Sequence, residues 1–224
     1  MPDITILPSL LAADIGRLAE ECRRAAAAGA DGLHIDIMDG HFVPNLSLGP
    51  DVVSMARRAV ALPLSTHLMV THPQHFVEAF IAAGANPLLI HVEARCDVRA
   101  VLRAIRARGV RAGLTLNPET PAAAAVPLLD EADEILFMSV HPGRGGQAFI
   151  PQVLPKIADL RRRAPALALS IDGGINRATA VAAAEHGVNV FIVGTFLFQA
   201  ADLAAEIAAL RRDTAAAYGR KVAA

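Results

Sequence analysis

The sequence predicts an α/β fold, a (β/α)8 TIM barrel, with residues 1–224 forming a single domain. Three observations carry this expectation. Eight short apolar segments recur near 4–9, 32–38, 63–69, 87–92, 111–116, 134–140, 167–172 and 189–194. Their apolar character along the whole segment is that of parallel strands covered on both faces. Ala-rich stretches with helical spacing separate them, and no linker or shift in composition interrupts the 224 residues. Eight such units fill one closed barrel. An open doubly wound sheet more often has five or six strands and a glycine fingerprint after the first, where this chain reads "LPSLLAAD".

A loose repeat marks the joins. Gly29-Ala30-Asp31, Gly84-Ala85-Asn86, Gly109-Val110-Arg111 and Gly187-Val188-Asn189 each stand between a helical stretch and the next apolar run. Glycine just past a helix adopts the left-handed closing conformation at little cost. Asp14, Asp97 and Asn176 are expected to cap helix starts, and Pro50, Pro73 and Pro151 to occupy first turns.

Composition excludes several classes. The 21 basic residues balance 22 acidic ones, with no basic stripe, no Trp and a single Tyr, so nucleic acid is not an expected partner. No apolar run reaches the roughly 18 residues of a membrane span, and "MPDITILPSL" lacks the layout of a signal peptide, so a cytoplasmic protein is expected. Cys22 and Cys96 form neither a disulfide framework nor a metal knuckle. The lysines are Lys156, within the helix after strand six, and Lys221, in the tail. Neither is placed for Schiff-base chemistry inside a barrel.

In this fold, functional residues gather at the C-terminal ends of strands. Here those ends carry Ser9, then His34 and Asp36, then His67, then His91 and Glu93, then Asp172. Period two puts His34, Asp36 and Met38 on one face. His34, Asp36, His67 and Asp172 therefore make a mixed nitrogen and oxygen metal site, suited to Zn, Fe(II), Mn or Co and lacking the thiolates of a structural zinc site. His91 and Glu93 read either as partners of those ligands or as structural groups. His41, His72, His75 and His186 read as solvated loop or helix residues. Met38, Met69 and Met138 read either as a polarizable, water-poor lining or as ordinary barrel packing. Gly143, Gly145 and Gly146, then Gly173 and Gly174, then Gly194 follow strands six, seven and eight, where bare backbone N–H groups cradle a phosphate in this fold. Neither "GRGGQ" nor "DGGIN" has the ending of a nucleotide P-loop.

Seven stretches, "LPSLLAAD", "HIDIMDGHFVPNLSLGP", "HLMV", "LNPETP", "MSVHPGRGGQ", "DGGIN" and "FIVGT", resemble the ribulose-phosphate 3-epimerase family over about residues 5–200. The resemblance implies a ribulose-phosphate-binding barrel that reversibly epimerises C3 of D-ribulose 5-phosphate to give D-xylulose 5-phosphate. It implies one divalent metal ion on His34, Asp36, His67 and Asp172, with Asp36 and Asp172 as the acid/base pair. It places Ser9 and His67 on the sugar. It places Gly143, Arg144, Gly145 and Gly146, then Asp172, Gly173 and Gly174, then Gly194 and Thr195 on the phosphate side. The family's strand-six loop usually reads N-P-G-F-G-G-Q; here His141 and Arg144 replace the asparagine and the aromatic, and Thr195 stands where serine is commoner. An allulose-6-phosphate 3-epimerase is the nearest alternative, but it tends to lose the second glycine of "DGG" and part of "GGQ", both intact here. A non-catalytic phosphosugar-binding barrel is the alternative from another class. Related decarboxylases use an Asp-x-Lys pair, whereas this chain has Asp36-Ile37-Met38. A homo-oligomer is expected, with Ala-rich helix faces able to form the interface.

Overall fold

A computed structural model describes residues 3–222. Eight strands, β1 (Thr5–Pro8), β2 (Leu33–Met38), β3 (Leu64–Met69), β4 (Leu88–His91), β5 (Ala112–Leu116), β6 (Glu134–Met138), β7 (Ala168–Asp172) and β8 (Val190–Val193), form one sheet in the order β1-β8-β7-β6-β5-β4-β3-β2. All seven ladders are parallel. An isolated parallel bridge between Ser9 and His34 brings the two ends together. The observed strands fall within the expected segments, trimmed by one or two residues at most ends.

Helices α1 (Leu18–Ala27), α2 (Pro50–Ala59), α3 (Val77–Ala83), α4 (Val98–Ala107), α5 (Leu154–Arg163), α6 (Arg177–Glu185), α7 (Thr195–Phe198) and α8 (Leu203–Val222) cover the outside. Asp97 caps α4 by accepting from Ala100 N, and Asn176 caps α6 in a reciprocal box with Thr179. Asp14 caps a 3-10 turn, Ile15–Arg17, that leads into α1. Pro50 opens α2, while Pro73 and Pro151 open 3-10 turns ahead of α3 and α5. The fifth unit departs from the expected alternation. Between β5 and β6 the chain makes two 3-10 turns, Ala122–Ala124 and Val126–Leu128. Pro127 is the physical reason: it has no N–H to donate, and its ring would strike the carbonyl one helical turn earlier. No helix among the described residues is long and apolar enough to cross a membrane.

Strand registers divide the side chains cleanly. The partners Ser9–His34, His34–Ser65, Asp36–His67, Met38–Met69 and Met138–Asp172 share the inner face. Leu33, Ile35, Ile37, Leu64 and Leu68 point outward and pack under the helices. Leu7, Leu89, Leu136, Met138, Val140, Val190 and Ile192 fill the interior. Gly113 makes room for one of them: a methyl added there would lie 2.2 Å from Leu89 Cδ2. Gly113→Ala is expected to overpack this layer and cost about 1–3 kcal/mol. Its melting temperature should fall about 2–10 °C by calorimetry, and an unchanged value would refute the packing argument.

The β1–β2 junction is thinner than the other seams. Thr5 and Ser9 send their N–H groups to β8, at Asn189 O and Val193 O. Ile6 points the opposite way and donates to Asp31 Oδ2 at 2.7 Å. By the same alternation Pro8 faces β2, where it has no proton to give. Arg211 on α8 holds the Asp31 carboxylate in place at 2.7 Å.

Candidate active site and metal centre

Four side chains from three strands meet at the C-terminal mouth. One ligand-type atom from each of His34, Asp36, His67 and Asp172 lies within 4.8 Å of all the others. His67 Nδ1 is 3.1 Å from Asp36 Oδ1, and His34 Nε2 is 3.4 Å from the same oxygen. That second contact lacks hydrogen-bond geometry, so His34 Nε2 is a buried nitrogen without a hydrogen-bond partner. A native structure seldom leaves such a group unpaired unless something else binds there. His34 Nδ1 is engaged 3.1 Å from Ser65 Oγ, which leaves Nε2 turned into the cluster. Ser9 Oγ donates to Asp36 Oδ2 at 3.0 Å, freeing Oδ1 for the cluster. Two imidazole nitrogens and two carboxylates can bind a divalent cation.

The electrostatics separate the two acids. Burial raises the pKa of Asp36, but the adjoining His34 and His67 imidazoles outweigh it and hold the carboxyl far below its usual range. Burial, reinforced by the charge of Asp36, pushes Asp172 up to about 7, although its carboxyl reaches the cleft surface. Burial holds His67 down at about 4, so its ring is neutral near pH 7.

Above this cluster opens a cleft of about 840 Å3. Of the residues singled out in the sequence, Ser9, Asp36, Met38, Met69, Met138, Asp172, Gly143, Arg144, Gly145, Gly146, Gly173, Gly174, Gly194 and Thr195 all line it. His34 and His67 lie beneath its floor with no exposed surface. Met38 and Met69 pack with Val43 into an apolar wall.

The sequence of this constellation matches one family profile, described as the ribulose-phosphate 3 epimerase family, over residues 5–198. The chain belongs to this family. A ribulose-phosphate 3-epimerase of Mycobacterium tuberculosis is 45% identical over 216 residues, covering 95% of this chain and 93% of the relative. The rice protein named ribulose-phosphate 3-epimerase, cytoplasmic isoform, is 40% identical and covers 92% of each chain. The crystal structure of KGPDC from Streptococcus mutans superimposes with a TM-score of 0.74 at 15% identity, covering 98% of this chain and 100% of that one. This last likeness concerns the fold alone.

In this member of the epimerase family one departure, His141, helps tie down the strand-six loop. His141 Nε2 lies 2.7 Å from Glu119 Oε1. Gln147 Nε2 donates to the carbonyls of His141 and Arg144, and Asn45 Nδ2 donates to that of Gly143. The Arg144 guanidinium has no partner among the described residues. Gly173 and Gly174 have φ of 114° and 63°, and a methyl on Gly174 would lie 2.6 Å from Phe149 N. Only glycine passes there without displacing the strand-six loop.

Three contributors were not legible in the sequence. Ser65, which orients His34, stands two residues before His67 on β3; period two puts it on the face of His67, and only the strand register sets it opposite His34. Lys156 donates to the carbonyls of Asn117, Pro118 and Thr120 at 2.7–2.9 Å, so it pins the loop after β5. Glu134 sits buried inside the barrel near Arg111, with burial raising its pKa.

Proposed function

We propose that this barrel is a metal-dependent ribulose-phosphate 3-epimerase that interconverts D-ribulose 5-phosphate and D-xylulose 5-phosphate. The observation that carries the reading is the meeting of two carboxyls, Asp36 and Asp172, from strands three apart around the cylinder, with His34 and His67 beside them. Epimerisation at C3 removes a proton from one face of the carbon beside the C2 ketone and returns one to the other. It needs one group to take the proton and an opposed one to return it, and two carboxyls reaching the cleft from separate strands suit that. Ser9 keeps Asp36 oriented through Oδ2. The Met38, Met69 and Met138 side chains keep water from the reacting carbon. The backbone N–H groups after β7 and β8, with the unpartnered Arg144, suit a phosphate carried at the far end of the sugar. His34, Asp36, His67 and Asp172 would hold a divalent cation, among Zn, Fe(II), Mn and Co, which would supply Lewis-acid stabilisation of the negative charge that develops on the substrate.

The rice relative's description as a cytoplasmic isoform supports a cytoplasmic location. The apolar side chains of Ile15 and Leu46, about three-quarters exposed, are surface that a second copy would cover in a homo-oligomer.

A coupled assay tests the activity. Turnover of D-ribulose 5-phosphate should exceed that of allulose 6-phosphate, disappear with a chelator and return when one divalent ion is restored. Preference for the hexulose phosphate, or turnover indifferent to chelation, would sink the reading.

A further inference from the structure

A buried chain of hydrogen bonds leads away from the cleft through His67. His67 Nε2 is 2.9 Å from His91 Nε2, with the two rings stacked 4.9 Å apart. His91 Nδ1 is 3.0 Å from Glu93 Oε2. The other carboxylate oxygen, Oε1, accepts from the Asn117 N–H at 2.9 Å and from the Thr120 hydroxyl. Lys156 fixes both of those donors by binding their carbonyls.

A contact of 2.9 Å between two imidazole nitrogens has room for one proton, and the ends of the chain decide which ring holds it. Glu93 is ionised and can only accept, so His91 must carry its proton on Nδ1. His91 Nε2 is then a lone pair, and the shared proton sits on His67 Nε2. A neutral His67 therefore turns a lone pair on Nδ1 toward His34, Asp36 and Asp172, which is what a cation requires of it. Asp36 pulls the other way, because at 3.1 Å its Oδ1 would accept a proton from that same Nδ1.

We propose that Glu93, acting through His91, is a positioning residue that keeps the Nδ1 lone pair of His67 turned toward the metal. The inference rests on the metal reading of the site given above. Replacing Glu93 by Gln reverses the chain. The Gln carbonyl pairs best with the two donors from the loop after β5, which turns its NH2 toward His91 Nδ1. His91 then carries its proton on Nε2, His67 Nε2 becomes the acceptor, and His67 Nδ1–H donates to Asp36. Binding a cation must then undo every one of those bonds.

Two measurements test this. Ring-nitrogen NMR of histidine-labelled protein prepared without added metal should find the His91 proton on Nδ1 in the wild type and on Nε2 in Glu93→Gln. Calorimetric titration with Zn(II) and with Co(II) should find the dissociation constant of Glu93→Gln raised about 10–100-fold. His91→Gln keeps an acceptor toward His67 and a donor toward Glu93, so it should bind both ions more tightly than Glu93→Gln, although it removes a buried ring. A wild-type His91 protonated on Nε2 overturns the proposal. So does a Glu93→Gln affinity within twofold of the wild type, or a His91→Gln protein that binds no more tightly than Glu93→Gln. A wild-type chain with the Nδ1 proton in place that takes up neither ion supports the ring assignment and overturns the metal reading instead.

Discussion

Asp172→Asn should lower interconversion of D-ribulose 5-phosphate and D-xylulose 5-phosphate by about 10²–10⁴-fold, the usual worth of one positioned proton-transfer group. Asparagine keeps the shape and one oxygen ligand but can neither hold nor release the proton. On the proposed reading Asp36 remains to act on the other face of the substrate. One sugar epimer should therefore still exchange its C3 proton with solvent while failing to invert. The measurement is deuterium incorporation at C3, followed separately for each epimer, alongside net conversion. Full conversion by this variant would refute the two-acid assignment. Equal loss of exchange with both epimers would show that Asp172 is needed for more than its own face.

Gly173→Ala should damage both stability and substrate affinity. At φ 114° a side chain is strained by about 1–3 kcal/mol. The added methyl would also lie 2.4 Å from Val140 Cγ2 and 2.9 Å from Val140 N. Relief requires backbone movement, and the backbone here is bonded: Ser139 Oγ donates to the carbonyls of Asp172 and Gly173. Overpacking of this kind adds about 1–3 kcal/mol. Together these predict a fall of about 5–15 °C in melting temperature. KM should rise as well, because the displaced residues line the cleft. An alanine variant with native melting temperature and KM would show that the loop relaxes freely.

Much of this arrangement could be read from residue order. Period two alone put His34, Asp36 and Met38 on one face, and the glycines after three consecutive strands pointed to one rim. The general strand–helix alternation does not hold in the fifth unit, where Pro127 breaks an Ala-rich stretch into two 3-10 turns. The pairing of His67 with His91 was hidden for another reason. The ladder sets Leu89, not His91, opposite His67, so the two rings meet out of register. Lys156 was hidden because its three acceptors are carbonyls 36–39 residues away. Backbone acceptors leave no trace in side-chain identity.

The gap that Pro8 leaves between the first and second strands bears on how the cylinder comes apart. With few amide bonds across that join, heat should pry it open there before the ladders elsewhere give way. His34 and Asp36 stand on one lip of the opening, and Asp172 stands two strands beyond the other. A cation held by His34, Asp36 and Asp172 would brace the cylinder across its weakest stretch of wall. An excess of the ion about one hundred times its dissociation constant would then resist unfolding by about 2.7 kcal/mol.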